Sequence, residues 1–189
     1  MTAKYHLYRL TVMLMPAFAF CALLLVQPSL LSALAPADES VSAIDSETSD
    51  KAVVHLYFSD QENSFLTAEE RVFFNMDQPA AFAKKIIEAL IEGSEKGLVR
   101  TIPATTKLRA LYITEEGIAY VDLTDTVKDA HPGGVQSELL TIFSIVNSLV
   151  LNMPQVAAAK ILVNGNEATT LAGHVDLRFP FKANMLLIR

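Results

Sequence analysis

The sequence predicts an α+β fold, a small mixed β-sheet with two helices packed on one of its faces. Three observations carry that expectation. Residues 53–59 and 118–123 alternate with the two-residue period of half-buried strands. Two longer stretches, one between Asp77 and Gly93 and one from Val135 to Met153, repeat their large apolar residues at helical spacing. Between them, Glu115-Glu116-Gly117 and Asn164-Gly165 carry hairpin chemistry. The resulting order is strand, helix, strand, strand, helix, strand.

The chain has 189 residues and a net charge of −6, enough for one ordinary domain and an extension. The extension lies at the amino terminus. Lys4, His6 and Arg9 precede an uncharged run from Leu10 to Ala37 whose apolar part (residues 10–35) is long enough to cross a bilayer. Basic residues before this run and acidic ones after it orient the bulk of the chain outside the cytoplasm. Residues 1–37 therefore read as a membrane anchor or a signal segment. Ala33-Leu34-Ala35 has the form of a signal cleavage site, which gives secretion after a cut near Ala35 as the alternative, but Pro36 would follow that cut. Cys21 is the single cysteine and a possible lipid acceptor, but bulky Phe18 and Phe20 precede it. The length of the apolar run favours an uncleaved anchor. Residues 38–52 follow as an acidic, serine-rich linker of disordered character, and residues 53–189 form one domain. The acidic balance excludes a nucleic-acid partner.

Within the domain, Val54, Leu56 and Phe58 face one way along the first strand, with Val53, His55 and Tyr57 on the wetter side. Arg71 to Phe74, at the end of the stretch 66–74, is a possible short hairpin partner. Asp77 then caps a helix with Pro79 in its first turn and Gly93 at its end, its core face formed by Phe82, Ala83, Ile86, Ile87, Leu90 and Ile91. Strands at 108–114 and 118–123 form the hairpin, placing Leu111 and Ile113 beside Ala119, Val121 and Leu123. Tyr57, Tyr112 and Tyr120 would then share the open face of the sheet.

The second helix organises the core. Val135, Leu139, Ile142, Val146, Leu149 and Met153 step by four and three. Burying six to eight such side chains contributes on the order of 10–20 kcal/mol before chain entropy is subtracted. Its other side carries Ser137, Thr141, Ser144 and Ser148, and Glu138 is its one charge. Small hydroxyls allow close backbone approach. Either a loop or the sheet covers them, or they form a docking face for a partner. A strand at 159–163, the Asn164-Gly165 turn and a short strand near 168–171 complete the sheet. The apolar tail 181–189 must dock or be bound.

Catalytic signatures are absent: the sequence holds no G-x-S-x-G elbow, Walker loop, G-x-G-x-x-G or H-E-x-x-H. His174-x-Asp176, His131, Asp122, Asp125 and His55 each read as structural, because chemistry requires converging partners. Asn147, beside the apolar stripe, is expected to satisfy a loop carbonyl. No catalytic, cofactor-binding or metal-binding residue is assigned, and no cofactor is expected.

Taken in order, Leu56-Tyr57-Phe58-Ser59-Asp60, Arg71, Gly97-Leu98, Thr101-Ile102-Pro103, Gly117 to Leu123, Ile145 to Leu149 and Gly173-His174-Val175-Asp176 resemble the GerMN (sporulation and spore germination) domain. The resemblance implies a non-catalytic bacterial envelope module, carried behind a lipoprotein signal or membrane anchor and similar in architecture to ring-building motifs. This chain departs in lacking a good lipoprotein box and in holding one copy of the domain. The expected function is protein–protein interaction in an extracytoplasmic, membrane-tethered complex, with envelope proteins or a second copy as partner. Binding of peptidoglycan or another glycan is the alternative.

Overall fold

The computed structural model describes residues 51–189. The expected anchor at 1–37 and the linker up to residue 50 lie outside the described residues. The first strand, expected from Val53, begins two residues earlier, at Lys51.

That strand, β1 (Lys51–Ser59), pairs antiparallel with β2 (Leu66–Phe74) over nine residues without a bulge. The expected pairing of Arg71 to Phe74 is thus extended to the whole stretch 66–74, which carries Glu69 and Arg71. Both are buried in the structure. Helix α1 (Pro79–Glu92) follows, with Gln78 rather than Asp77 at its N-cap. Pro79 suits the first turn because its missing N–H has no partner there. The helix stops at Gly93, whose φ of 98° favours glycine.

A second sheet has the order β3-β4-β5-β6. Strands β3 (Leu108–Ile113) and β4 (Ile118–Leu123) form the expected hairpin, closed by Gly117 at φ 78°. A Cβ at Gly117 would lie 2.8 Å from the Gln155 carbonyl oxygen, so space as well as φ requires glycine. A one-turn helix α2 (Thr126–Asp129) and the long helix α3 (Val135–Val150) cross over to β5 (Ala158–Val163), which runs parallel to β4. Asn164 and Gly165, at φ 52° and 78°, make the primed turn that their sequence signals. They lead into β6 (Asn166–Glu167), two residues earlier than the strand expected near 168–171. A 3-10 turn (Met185–Leu187) lies near the end of the tail.

The α+β class is as expected, but the single sheet is not. Among the described residues there are two sheets, and α3 packs against both, touching β1 of the first and β5 of the second as well as α1. It is consequently buried all round, from Leu140 to Leu149. Ile142, Val146 and Leu149 enter the core with Ile86, Leu90, Val121 and Ile161. Val135, the expected start of the apolar stripe, is more than half exposed.

Candidate interaction surface

The polar stripe of α3 is turned inward. A strand paired on one side presents backbone N–H and C=O groups along its other edge, and these need partners when buried. On β1 those groups belong to His55, Tyr57 and Ser59. Asn152 Oδ1 accepts from His55 N at 2.9 Å, and Asn152 Nδ2 donates to His55 O at 2.8 Å. Ser148 Oγ accepts from Tyr57 N at 3.0 Å, while Ser144 Oγ donates to Tyr57 O at 2.6 Å. Ser59 completes the edge by exchanging two bonds with Val99. Ser144 and Ser148 lie one turn apart on α3, and Asn152, in the turn just past its end, continues their row. Thr101 Oγ1 donates to Ser144 Oγ at 2.7 Å, and Thr141 Oγ1 donates to the Thr101 carbonyl at 2.6 Å.

Thr141, Ser144 and Ser148 are therefore at most 1% exposed, and they serve the intramolecular contact rather than an open docking face. Of the four hydroxyl residues, Ser137 alone reaches a surface. It helps line an open groove of about 570 Å³ between the 99–103 loop and the start of α3, with Ser59, Arg100, Ile102, Val135 and Gln136.

The tyrosines divide between the sheets. Tyr57 is buried, which pushes its phenol pKa up, and it belongs to the first sheet, so it cannot share a face with the other two. Tyr112 and Tyr120 stand opposite each other on β3 and β4, their rings stacked at 4.8 Å and 8°. Tyr112 is half-exposed at the sheet's edge strand.

Two buried acids hold structural roles that the sequence did not assign to them. Glu138 is fully buried and accepts backbone N–H bonds from Leu171, Ala172 and His174 at 2.8–3.0 Å. Burial acts to raise its carboxyl pKa, but the N–H groups of Ala172, His174, Leu171 and Val175 outweigh it and hold the group below its usual value. Glu69, also fully buried, accepts from Arg71, Ser94 Oγ and the backbone of Glu95 and Lys96. Burial is again the largest single influence and raises its pKa, yet the combined hydrogen bonds lower it to about 2. The available sequence signal was isolation, namely one acid in an otherwise uncharged helix.

His174 and Asp176 do not act together. His174 Nδ1 lies 3.2 Å from Glu138, while Asp176 pairs with Arg178. His131 accepts from Gly133 N through Nδ1, which leaves Nε2 as the donor to Thr141 Oγ1 at 3.0 Å. Asp122 accepts from Gly165 N at 2.7 Å and meets Arg109, so it holds the Asn164-Gly165 turn. Asp125 instead occupies the N-cap of α2 without a side-chain cap bond. His55 is half-exposed, 3.4 Å from Glu70. Asn147 behaves as its polarity suggests: its amide donates to Asn184 O and accepts from Asn184 N, docking the tail on α3. Among the described residues, no group of three or more His, Cys, Asp or Glu is arranged to hold a metal.

This arrangement of elements has known counterparts. At 19% identity and a TM-score of 0.57, the structure resembles the first GerMN domain of the sporulation protein GerM from Bacillus subtilis, covering 70% of this chain and 98% of that one. The tandem GerMN domains of the same protein match with the same score and identity, this chain spanning 46% of their length. A Clostridium perfringens chain described as a lipoprotein matches at 24% identity and a TM-score of 0.50, covering 70% of this chain and 86% of that one. At these identities the likeness is one of fold. No curated protein matches the sequence. The family model "Germane: Sporulation and spore germination" matches residues 55–169, more than half of the chain. The chain therefore belongs to the sporulation and spore germination (GerMN) family.

Proposed function

We propose that the chain is a membrane-tethered, extracytoplasmic, non-catalytic module that mediates protein–protein contact in a bacterial envelope complex. The observation that carries this reading is how the buried polar groups are used. Glu69, Glu138, Asn147 and Asp122, with the part-buried His131, all bond to the chain's own loops and turns, so they act as structural fasteners. The open groove beside the start of α3 offers a contact surface of mixed polarity, with Val135 and Gln136 exposed on its rim. Family membership and the lipoprotein described among the similar folds support the envelope setting. The uncharged run 10–37 supports the tether.

Affinity capture from membranes with the full-length chain, wild type against Val135→Glu, tests the groove. A specific partner retained by the wild type and lost by a folded Val135→Glu variant supports the reading. Recovery of the chain from the cytosol, or capture indifferent to the substitution, contradicts it.

A second reading, glycan binding, is favoured by the Tyr112–Tyr120 stack, because an aromatic face at an edge strand suits contact with a sugar ring. Co-sedimentation with purified peptidoglycan, lost in Tyr112→Ala, distinguishes it.

A further inference from the structure

The two edges of the first sheet are finished differently. The outer edge of β1 is closed by α3 and Val99, as described above. Register alternation fixes which groups face outward on β2. Ser59 bonds outward to Val99, and its partner Leu66 accepts outward from Arg189 N. Counting in twos from Leu66, the N–H and C=O groups of Ala68, Glu70, Val72 and Phe74 face away from β1. Among the described residues, no strand or helix side chain takes them up. Edge strands are commonly blunted by proline, bulges or a covering element, and β2 has neither proline nor bulge along its nine residues. Val72 and Phe74 are more than 60% exposed, as is neighbouring Val53 to nearly the same extent.

A groove of about 340 Å³ runs along this edge, walled by β2 residues 70–73, by Lys85, Ala89 and Glu92 of α1, and by Glu95 beyond it, which pairs with Arg71. Along the helix the order is cation, small residue, anion. A two-fold axis reverses that order in the second copy, bringing Lys85 toward the partner's Glu92 at both ends. The opposite face of β2 has the same character. Glu70 lies two positions before Val72 and Phe74 two after, with Lys51 Nζ held over the Phe74 ring. Pairing centred on Val72 sets Glu70 against the partner's Phe74 and Lys51. Both faces are thus self-complementary about one point, as an isologous contact requires.

We propose that β2 is the interface of a symmetric dimer, in which two copies pair antiparallel through Val72 to make one four-stranded sheet. The pairing leaves the groove beside α3 free and is independent of the partner that groove receives.

Sedimentation of the full-length chain in detergent micelles tests the proposal, with wild type expected at the mass of two chains. Val72→Pro is the decisive variant, because the Val72 N–H faces away from β1 and proline there removes no β1–β2 bond. It is expected to sediment as a monomer with an unchanged circular dichroism spectrum. In a Cys21→Ser background, Val72→Cys is expected to form a covalent dimer on mild oxidation, since paired residues across such a ladder lie within disulfide reach. Lys85→Glu is expected to weaken the dimer and Lys85→Glu with Glu92→Lys to restore it. A monomeric wild type, a dimer that persists in Val72→Pro, or a Val72→Cys chain that does not cross-link would each overturn the proposal.

Discussion

Glu69 shows how one side chain secures a junction. Its carboxylate receives Nε and Nη2 of Arg71 at 2.9 and 2.7 Å, while the same guanidinium donates to the Gly93 carbonyl at 2.5 Å. The acid thus fastens the turn after α1 onto β2. Removing it by Glu69→Ala leaves Arg71 buried without its carboxylate, which costs about 3–5 kcal/mol, measurable by urea denaturation. The pH dependence follows from the direction of the shift. A folded-state value of about 2 lies below the ordinary carboxylate value of 4.5, so the folded chain binds the proton more weakly than the unfolded one. The contribution is complete above pH 4.5 and is lost as pH falls toward 2. Glu138 adds in the same direction. The melting temperature is therefore expected to decline steeply from about pH 5 downward, and an acid limb unchanged in Glu69→Gln would contradict that assignment.

At the scale of elements, α3 serves two sheets through two different faces. The apolar face supplies the core, and the row Ser144, Ser148, Asn152 supplies hydrogen bonds to a strand edge. Ser148→Ala leaves the Tyr57 N–H buried and unpaired, and Asn152→Ala removes the partner of both part-buried backbone groups of His55. Each substitution is expected to cost about 1–3 kcal/mol in denaturant titration, more than an exposed serine or asparagine would. Ser144→Lys is expected to prevent folding, because the site has no room and no water for a charge. Much of the architecture of this region is local and could be read from the sequence. The turns at Gly117 and Asn164-Gly165 announce themselves through glycine and asparagine, and the limits of β4 follow from its alternation. Partnerships between distant segments left weaker traces. Glu69 and Arg71 look like surface residues until their mutual pairing is known, so most of β2 was hidden. The serine row was visible as a pattern, but whether a partner or β1 covered it depended on where β1 folds back.

At the scale of the whole molecule, α1 and α3 both bridge the two sheets of the described residues, and the polar groups of α3 are nearly all engaged inside the chain. Asn147 extends the scheme by holding the tail at Asn184, and the tail in turn bridges Ile188 to Leu66 on β2. Among the described residues, surfaces open to contact include the groove at the start of α3, the Tyr112 edge and the outer edge of β2. Closure of the free edge of β1 by α3 is central to the fold, and amide hydrogen exchange reads it directly. The His55 and Tyr57 amides are expected to exchange as slowly as the core of β4, and the Tyr57 amide to become fast in Ser148→Ala. Rapid exchange of both amides in the wild-type chain would mean that the edge is open, and would contradict the central role assigned to α3.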